Sequence, residues 1–149
     1  MSLAVWFGSA MAGILLVRWA RRRWMVVTVR GKSMMPTLRD GQRLLARRAR
    51  GGAVQLQVGD IVVFFAPERE WPPGTDYLVK RVVALGDVIA PSVAGAMTET
   101  MIAEHPPSDR VMVLGDNRRA SQDSRHFGPV DRRSIIGVVR RAAEAHSRL

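Results

Sequence analysis

The chain has 149 residues, no cysteine, and 23 Lys and Arg against 13 Asp and Glu, a net charge of +10. That length suits one domain with a short appendage, and the missing thiols exclude a disulfide scaffold, a cysteine nucleophile and a thiolate metal site. His105, His126 and His146 lack metal-ligand spacing, so no metal and no cofactor are expected. The cations are nearly all arginine and could face an anionic membrane, an acidic partner or nucleic acid. Without a basic helix interleaved with stacking aromatics, no nucleic-acid partner is expected.

Leu3 to Val17 carries no charge and runs on through Arg18-Trp19-Ala20 to Arg21-Arg22-Arg23. The run is a few residues short of the roughly 20 that cross a bilayer, but Arg18 can snorkel and Trp6 and Trp19 can sit at interfaces. We therefore expect residues 1–23 to form an N-terminal membrane anchor, one transmembrane helix with a basic flank, in contact with membrane lipids. The other readings are a buried helix and the core of a cleaved signal peptide, which would carry its positive charges before the apolar run. By charge alone the arginines would hold residues 24–149 on the cytoplasmic side.

From Trp24 the pattern WMVVTVR is β-branched and apolar and predicts a strand leading into Arg30-Gly31-Lys32-Ser33-Met34-Met35-Pro36-Thr37-Leu38. A serine where a strand stops and the chain bends is well placed to present a nucleophile. Gly31 lets backbone come close to a bound peptide, and Pro36 disfavours helix at Met35. Gln42 to Arg47 reads as a second strand, Arg48 to Gln55 with Gly51-Gly52 as a basic loop, and Ile61-Val62-Val63-Phe64-Phe65 as a strand covered on both faces or lining an apolar groove.

A Pro-rich loop, 66–75, precedes the strand Tyr77 to Leu85. Alternation there sets Lys80 on one face with Leu78 and Val82, opposite Val79, Arg81 and Val83. Such a lysine is most simply a solvated edge charge, yet its flanking by Leu and Val argues for burial. A short insertion of low periodicity covers about 88–109. Arg110 to Leu114 is a strand that delivers Gly115 to Val130, a loop dense enough in polar residues to be held by its own hydrogen bonds and ion pairs. Ile135 to Val139 closes the fold, followed by a basic tail.

Three stretches together resemble the boxes of the bacterial signal peptidase I family, membrane-bound Ser-Lys endopeptidases. They are Ser-Met-x-Pro-Thr-Leu at Ser33 to Leu38, Lys-Arg-Val at Lys80 to Val82, and Gly-Asp-Asn-x-x-x-Ser-x-Asp-Ser-Arg-x-x-Gly at Gly115 to Gly128. Gly59-Asp60-Ile61-Val62-Val63-Phe64 looks like the family's intermediate box. The resemblance implies a mostly β fold, an antiparallel catalytic sheet behind one transmembrane helix, with the catalytic domain on the extracytoplasmic face of the cell membrane. It implies Ser33 as nucleophile and Lys80 as base, Ser121 hydrogen-bonded to the lysine, and Asp123 paired with Arg125 to hold the loop. Precursor proteins with signal peptides would be the partners, small residues preceding the cut.

The chemistry agrees with those residue types. A serine hydroxyl needs a base, and Lys80 can serve only when neutral, which requires lowering its pKa from about 10.4 toward ~7 to 8, about 4 kcal/mol. Burial among Leu78, Val82 and the Phe64-Phe65 strand is a sufficient kind of cause. The Ser33 backbone N–H would meet the oxyanion, with a second donor near Gly31, where some family members carry a hydroxyl. Substrate would add as an extended strand, with Met34 near its pockets. The chain departs from the pattern in lacking a proline before Gly86-Asp87 and in its short span from Gly86 to Arg110. A dedicated maturation peptidase for one secreted peptide or protein is the alternative within this chemistry. A non-catalytic basic membrane-surface binding protein is the alternative outside it.

Overall fold

The computed structural model describes residues 3–49, 55–67, 71, 74–86, 88–90 and 106–139. The Gly51-Gly52 loop, part of the 66–75 loop, most of the 88–109 insertion, His105, His146 and the basic tail lie outside the described residues. A helix, α1 (Leu3–Arg23), passes without an intervening residue into the strand β1 (Trp24–Thr28). The side chains of Met11, Ile14, Leu15, Leu16, Val17 and Trp19 are exposed, and the Arg23 guanidinium lies 5.2 Å from the Trp19 ring centroid. Among the described residues, no helix is long and apolar enough to cross a membrane.

The remainder is mostly β. The strands are β2 (Arg43–Arg48), β3 (Ile61–Phe65), β4 (Tyr77–Leu85), β5 (Val88–Ile89), β6 (Arg110–Leu114), β7 (Val130–Asp131) and β8 (Ile135–Val139). They pair antiparallel throughout, in the order β1-β2-β8-β3-β4-β6-β7, with β5 added to β4. Short antiparallel connections suit a chain whose apolar runs are five to nine residues long and separated by Gly, Pro and Asp. β5 and β7 have two residues each, too few to display a period of two, and escape sequence reading.

β3 lies between β8 and β4, so its residues Ile61 to Phe64 are all buried, as a strand covered on both faces must be. Phe65 departs from the expected burial of the Phe64-Phe65 pair. It leaves the central part of the sheet, is half exposed, and packs its ring 5.2 Å from that of Tyr77. Val62, Phe64, Leu78, Val82, Val111, Val113, Val130, Ile135 and Val138 form the main core, against which Trp71 and Phe127 pack. A second cluster of Val29, Met34, Leu38, Leu44 and Ile61 lies under the Ser33 turn and fixes it to the sheet. This second core is what gives a surface turn a rigid floor.

Candidate active site

β1 stops at Thr28, but its direction is carried on by backbone bonds: Val29 N–H donates to Gln42 O at 2.8 Å and Gly41 N–H to Val29 O at 2.9 Å. Gly31 then takes φ +84°, a left-handed conformation that disfavours a side chain, and the chain swings into the turn at residues 33–37. Met34, 1% exposed, and Leu38 plug the second core, while Ser33 stays half-buried at the rim. The Met35–Pro36 bond is cis.

Lys80 stands on β4, opposite Val62 of β3, in a row with the buried Leu78 and Val82. It is 3% exposed, and its Nζ donates to Ser33 Oγ at 2.7 Å, joining residues 47 apart in sequence. Burial pushes the pKa of the amine down to about 8, against the Asp123 and Asp116 carboxylates, which pull it up. At pH 7 about a tenth of the molecules would hold the neutral amine, which can accept the hydroxyl proton instead of donating to it.

The 115–128 loop closes behind this pair. Asp123 caps the short helix α2 (Ser124–Phe127) and is fully buried. Its Oδ2 accepts from Ser121 Oγ at 2.7 Å, Arg125 Nη2 at 2.9 Å and Gly115 N–H at 3.0 Å, and its Oδ1 accepts from Arg125 Nε at 2.8 Å. Burial raises the pKa of this carboxyl, but Arg125, Gly115 and Ser121 outweigh it and hold the group below the usual carboxylate range. The Asp123–Arg125 pair thus has the geometry expected of it. Ser121 differs from expectation: its hydroxyl turns to Asp123, so its link to Lys80 runs through the field of that carboxylate, with no direct bond. His126 serves the same cap, its Nδ1 accepting from Asp123 N–H at 3.3 Å.

The Gly31 N–H donates to Asp40 Oδ1 at 2.8 Å and is therefore committed, so a second oxyanion donor near Gly31 would have to be another group. The Ser33 N–H makes no hydrogen bond among the described residues. Met34 is both core and groove wall. A groove of about 400 Å³ runs beside β1 from Met25 to Arg30, is walled by Gly74, Thr75 and Tyr77 to Lys80, and has Ser33 and Met34 in its lining. β1 is the edge strand, so the backbone groups it does not pair with β2 are open to a partner on this side.

At three positions sequence reading missed the contact made. Asp40 anchors Gly31. Asn117 donates its N–H to Ser33 O at 2.9 Å, tying the serine's own peptide to the distant loop. Gly115 fits between Ser33 and Ser121, where a side chain would overlap the Ser121 hydroxymethyl and meet Ser33 O at 2.6 Å. Its advance signals are its place at the end of an apolar strand and at the head of the Gly-Asp-Asn box, neither of which shows the contact with Ser33. Arg81 forms a two-point pair with Asp116, Nη2 to Oδ2 at 2.6 Å and Nε to Oδ1 at 2.8 Å, and donates to Gly59 O at 2.9 Å.

The family model described as "Signal peptidase, peptidase S26" matches residues 2–98 and 90–143. The probable signal peptidase I-1 of Synechocystis sp. is 35% identical over 124 residues, covering 70% of this chain and 63% of its own length. The signal peptidase I of Bacillus caldolyticus is 35% identical over 141 residues, covering 74% of each chain. Signal peptidase I V of Bacillus subtilis is 26% identical over 165 residues, covering 90% of this chain and 95% of its own.

Two outcomes test the geometry. Gly115→Ala should lose about 2–3 kcal/mol in denaturant unfolding, because the Ser33 carbonyl it meets is backbone and cannot move aside. Lys80→Met should gain about 1–3 kcal/mol at pH 7. The folded amine titrates near 8 and the unfolded one near 10.5, so the folded state holds fewer protons between those values. Lys80 therefore lowers stability fully below pH 8, and the penalty fades as pH rises to 10.5. Urea unfolding at pH 7 and pH 10 should show this rise in the parent and lose it in the variant.

Proposed function

The chain belongs to the signal peptidase family, peptidase S26, and is a peptidase of the signal peptidase I type; from that premise we propose that it is a serine endopeptidase that cleaves signal peptides from exported precursor proteins with a Ser33/Lys80 dyad. The observation that carries the dyad is the 2.7 Å bond between a half-buried hydroxyl and a buried amine that both line the groove beside β1.

In this reading, neutral Lys80 takes the Ser33 proton as Oγ attacks the scissile carbonyl, giving a tetrahedral oxyanion beside the Ser33 N–H. Lysine then gives the proton to the leaving amine, and an acyl-enzyme remains on Ser33. Water, deprotonated by the same amine, hydrolyses the ester and frees the serine. Asp123, Ser121 and Arg125 keep Gly115 and Asn117 in place, and through Asn117 they hold the Ser33 peptide. Substrate adds as an extended strand along the free edge of β1, with small residues before the cut near Met34. No metal or cofactor is required by this scheme.

The uncharged run from Leu3 to Val17, continued in a helix whose apolar side chains are exposed from Met11 to Trp19, supports a membrane anchor for α1. Delivery of exported precursors argues for a catalytic domain on the extracytoplasmic face, against the pull of the Arg21–Arg23 cluster.

Ser33→Ala and Lys80→Ala should each abolish cleavage of signal-peptide-bearing precursors in a vesicle assay while leaving the fold intact by circular dichroism. Cleavage of several unrelated precursors is expected; processing of one alone would mean a dedicated maturation enzyme, and an active Lys80→Ala protein would end the dyad reading. In pH terms, kcat/KM should rise about tenfold per unit below pH 8 and level off above it, since the neutral lysine is the active form. Asp123→Asn removes a carboxylate that pulls the amine up, so the midpoint of its profile should move to lower pH.

A further inference from the structure

Arg30 is exposed at the end of β1, three residues before Ser33, and belongs to the groove wall. Its backbone is held on both sides: Val29 is hydrogen-bonded to Gln42 and Gly41, and Gly31 to Asp40. From that fixed base its side chain reaches the opposite wall, where a methyl group added at Gly74 would lie 3.8 Å from Arg30 Nη1. The guanidinium thus lies across the groove within van der Waals reach of the Gly74 position. Among the described residues no carboxylate pairs with Arg30, and no acidic side chain lines the groove. The other cation of the groove, Lys80, is buried and turned to Ser33. Among the described residues lining the groove, Arg30 is therefore the exposed cation open to a bound peptide.

We propose that Arg30 is a specificity-determining residue, selecting precursor segments that carry an Asp or Glu near the scissile bond and disfavouring Lys or Arg there. The inference rests on the peptidase reading, because the occupant of the groove is taken to be the substrate. A guanidinium suits this role because it stays charged and offers several donors in one plane. The backbone bonds of Val29 and Gly31 present it from a fixed base.

The test uses the full chain in detergent micelles and peptides spanning the cleavage region of a processed precursor. Single Glu, Ala or Lys residues are placed in turn from the fourth residue before the cut to the third after it. Cleavage is followed as kcat/KM with the parent protein, and binding as a dissociation constant with Ser33→Ala. At one or more positions the Glu peptide should exceed the Lys peptide by about tenfold, attraction and repulsion at an exposed site each giving roughly two- to fivefold. The ratio should persist in Arg30→Lys, fall to near one in Arg30→Gln, invert in Arg30→Glu, and shrink in about 1 M salt. The proposal is overturned if Arg30→Glu ranks the peptides as the parent does, or if no position separates Glu from Lys. Charge-blind cleavage removes the role of Arg30 and leaves the peptidase intact. Charge-ranked binding to Ser33→Ala with no cleavage by the parent of any peptide, the alanine one included, supports Arg30 and removes the peptidase.

Discussion

A single amine kept dry beside a single hydroxyl is the constraint on which the rest of the site depends. Lys80 is buried next to Ser33 although Asp123 and Asp116 both favour its charged form. Each of these carboxylates is bound by an arginine, Asp123 by Arg125 and Asp116 by Arg81. The arginines do more than brace loops. By offsetting the negative charge close to the lysine, they let desolvation prevail, and the amine titrates near 8 in place of its ordinary 10.5.

The serine is positioned largely by backbone atoms. Its carbonyl accepts from the Asn117 N–H, the preceding loop is fixed through the Gly31 N–H, and Gly115 has to be without a side chain so that two segments can touch. Met34 and Leu38 beneath the turn add an apolar floor. A side chain on a turn gains from such a floor the definition that a loop alone does not supply. The polar loop from Gly115 to Gly128 acts on Ser33 and Lys80 by different routes, by contact on the first and by electrostatic field on the second.

Much of this was legible in the sequence. The long strands showed themselves because a central strand such as Ile61 to Phe65 must be apolar on both faces, and because Lys80 between Leu78 and Val82 breaks an otherwise apolar row. The density of polar residues from Gly115 to Val130 announced a self-bonded loop, while the pairing of Asp123 with Arg125 inside it was implied only by the resemblance to the signal peptidase I boxes. What stayed hidden depends on closure in three dimensions. The use of the Gly31 N–H by Asp40, the contact of Gly115 with Ser33, and the turning of Ser121 toward Asp123 are set by which backbones meet, and no spacing records that. Phe65 was misread because apolar character alone does not show where a strand leaves the core.

The junction of α1 and β1 has a mechanical consequence. With no residue between Arg23 and Trp24, and five residues of strand covering about 16 Å before the chain turns toward Ser33, helix and groove are joined by a stiff strut in place of a tether. The strut works as a ruler. The Ser33 hydroxyl is held at a set reach from the end of the helix, so in the proposed reaction register along an extended peptide would be governed by the protein's skeleton as well as by its groove.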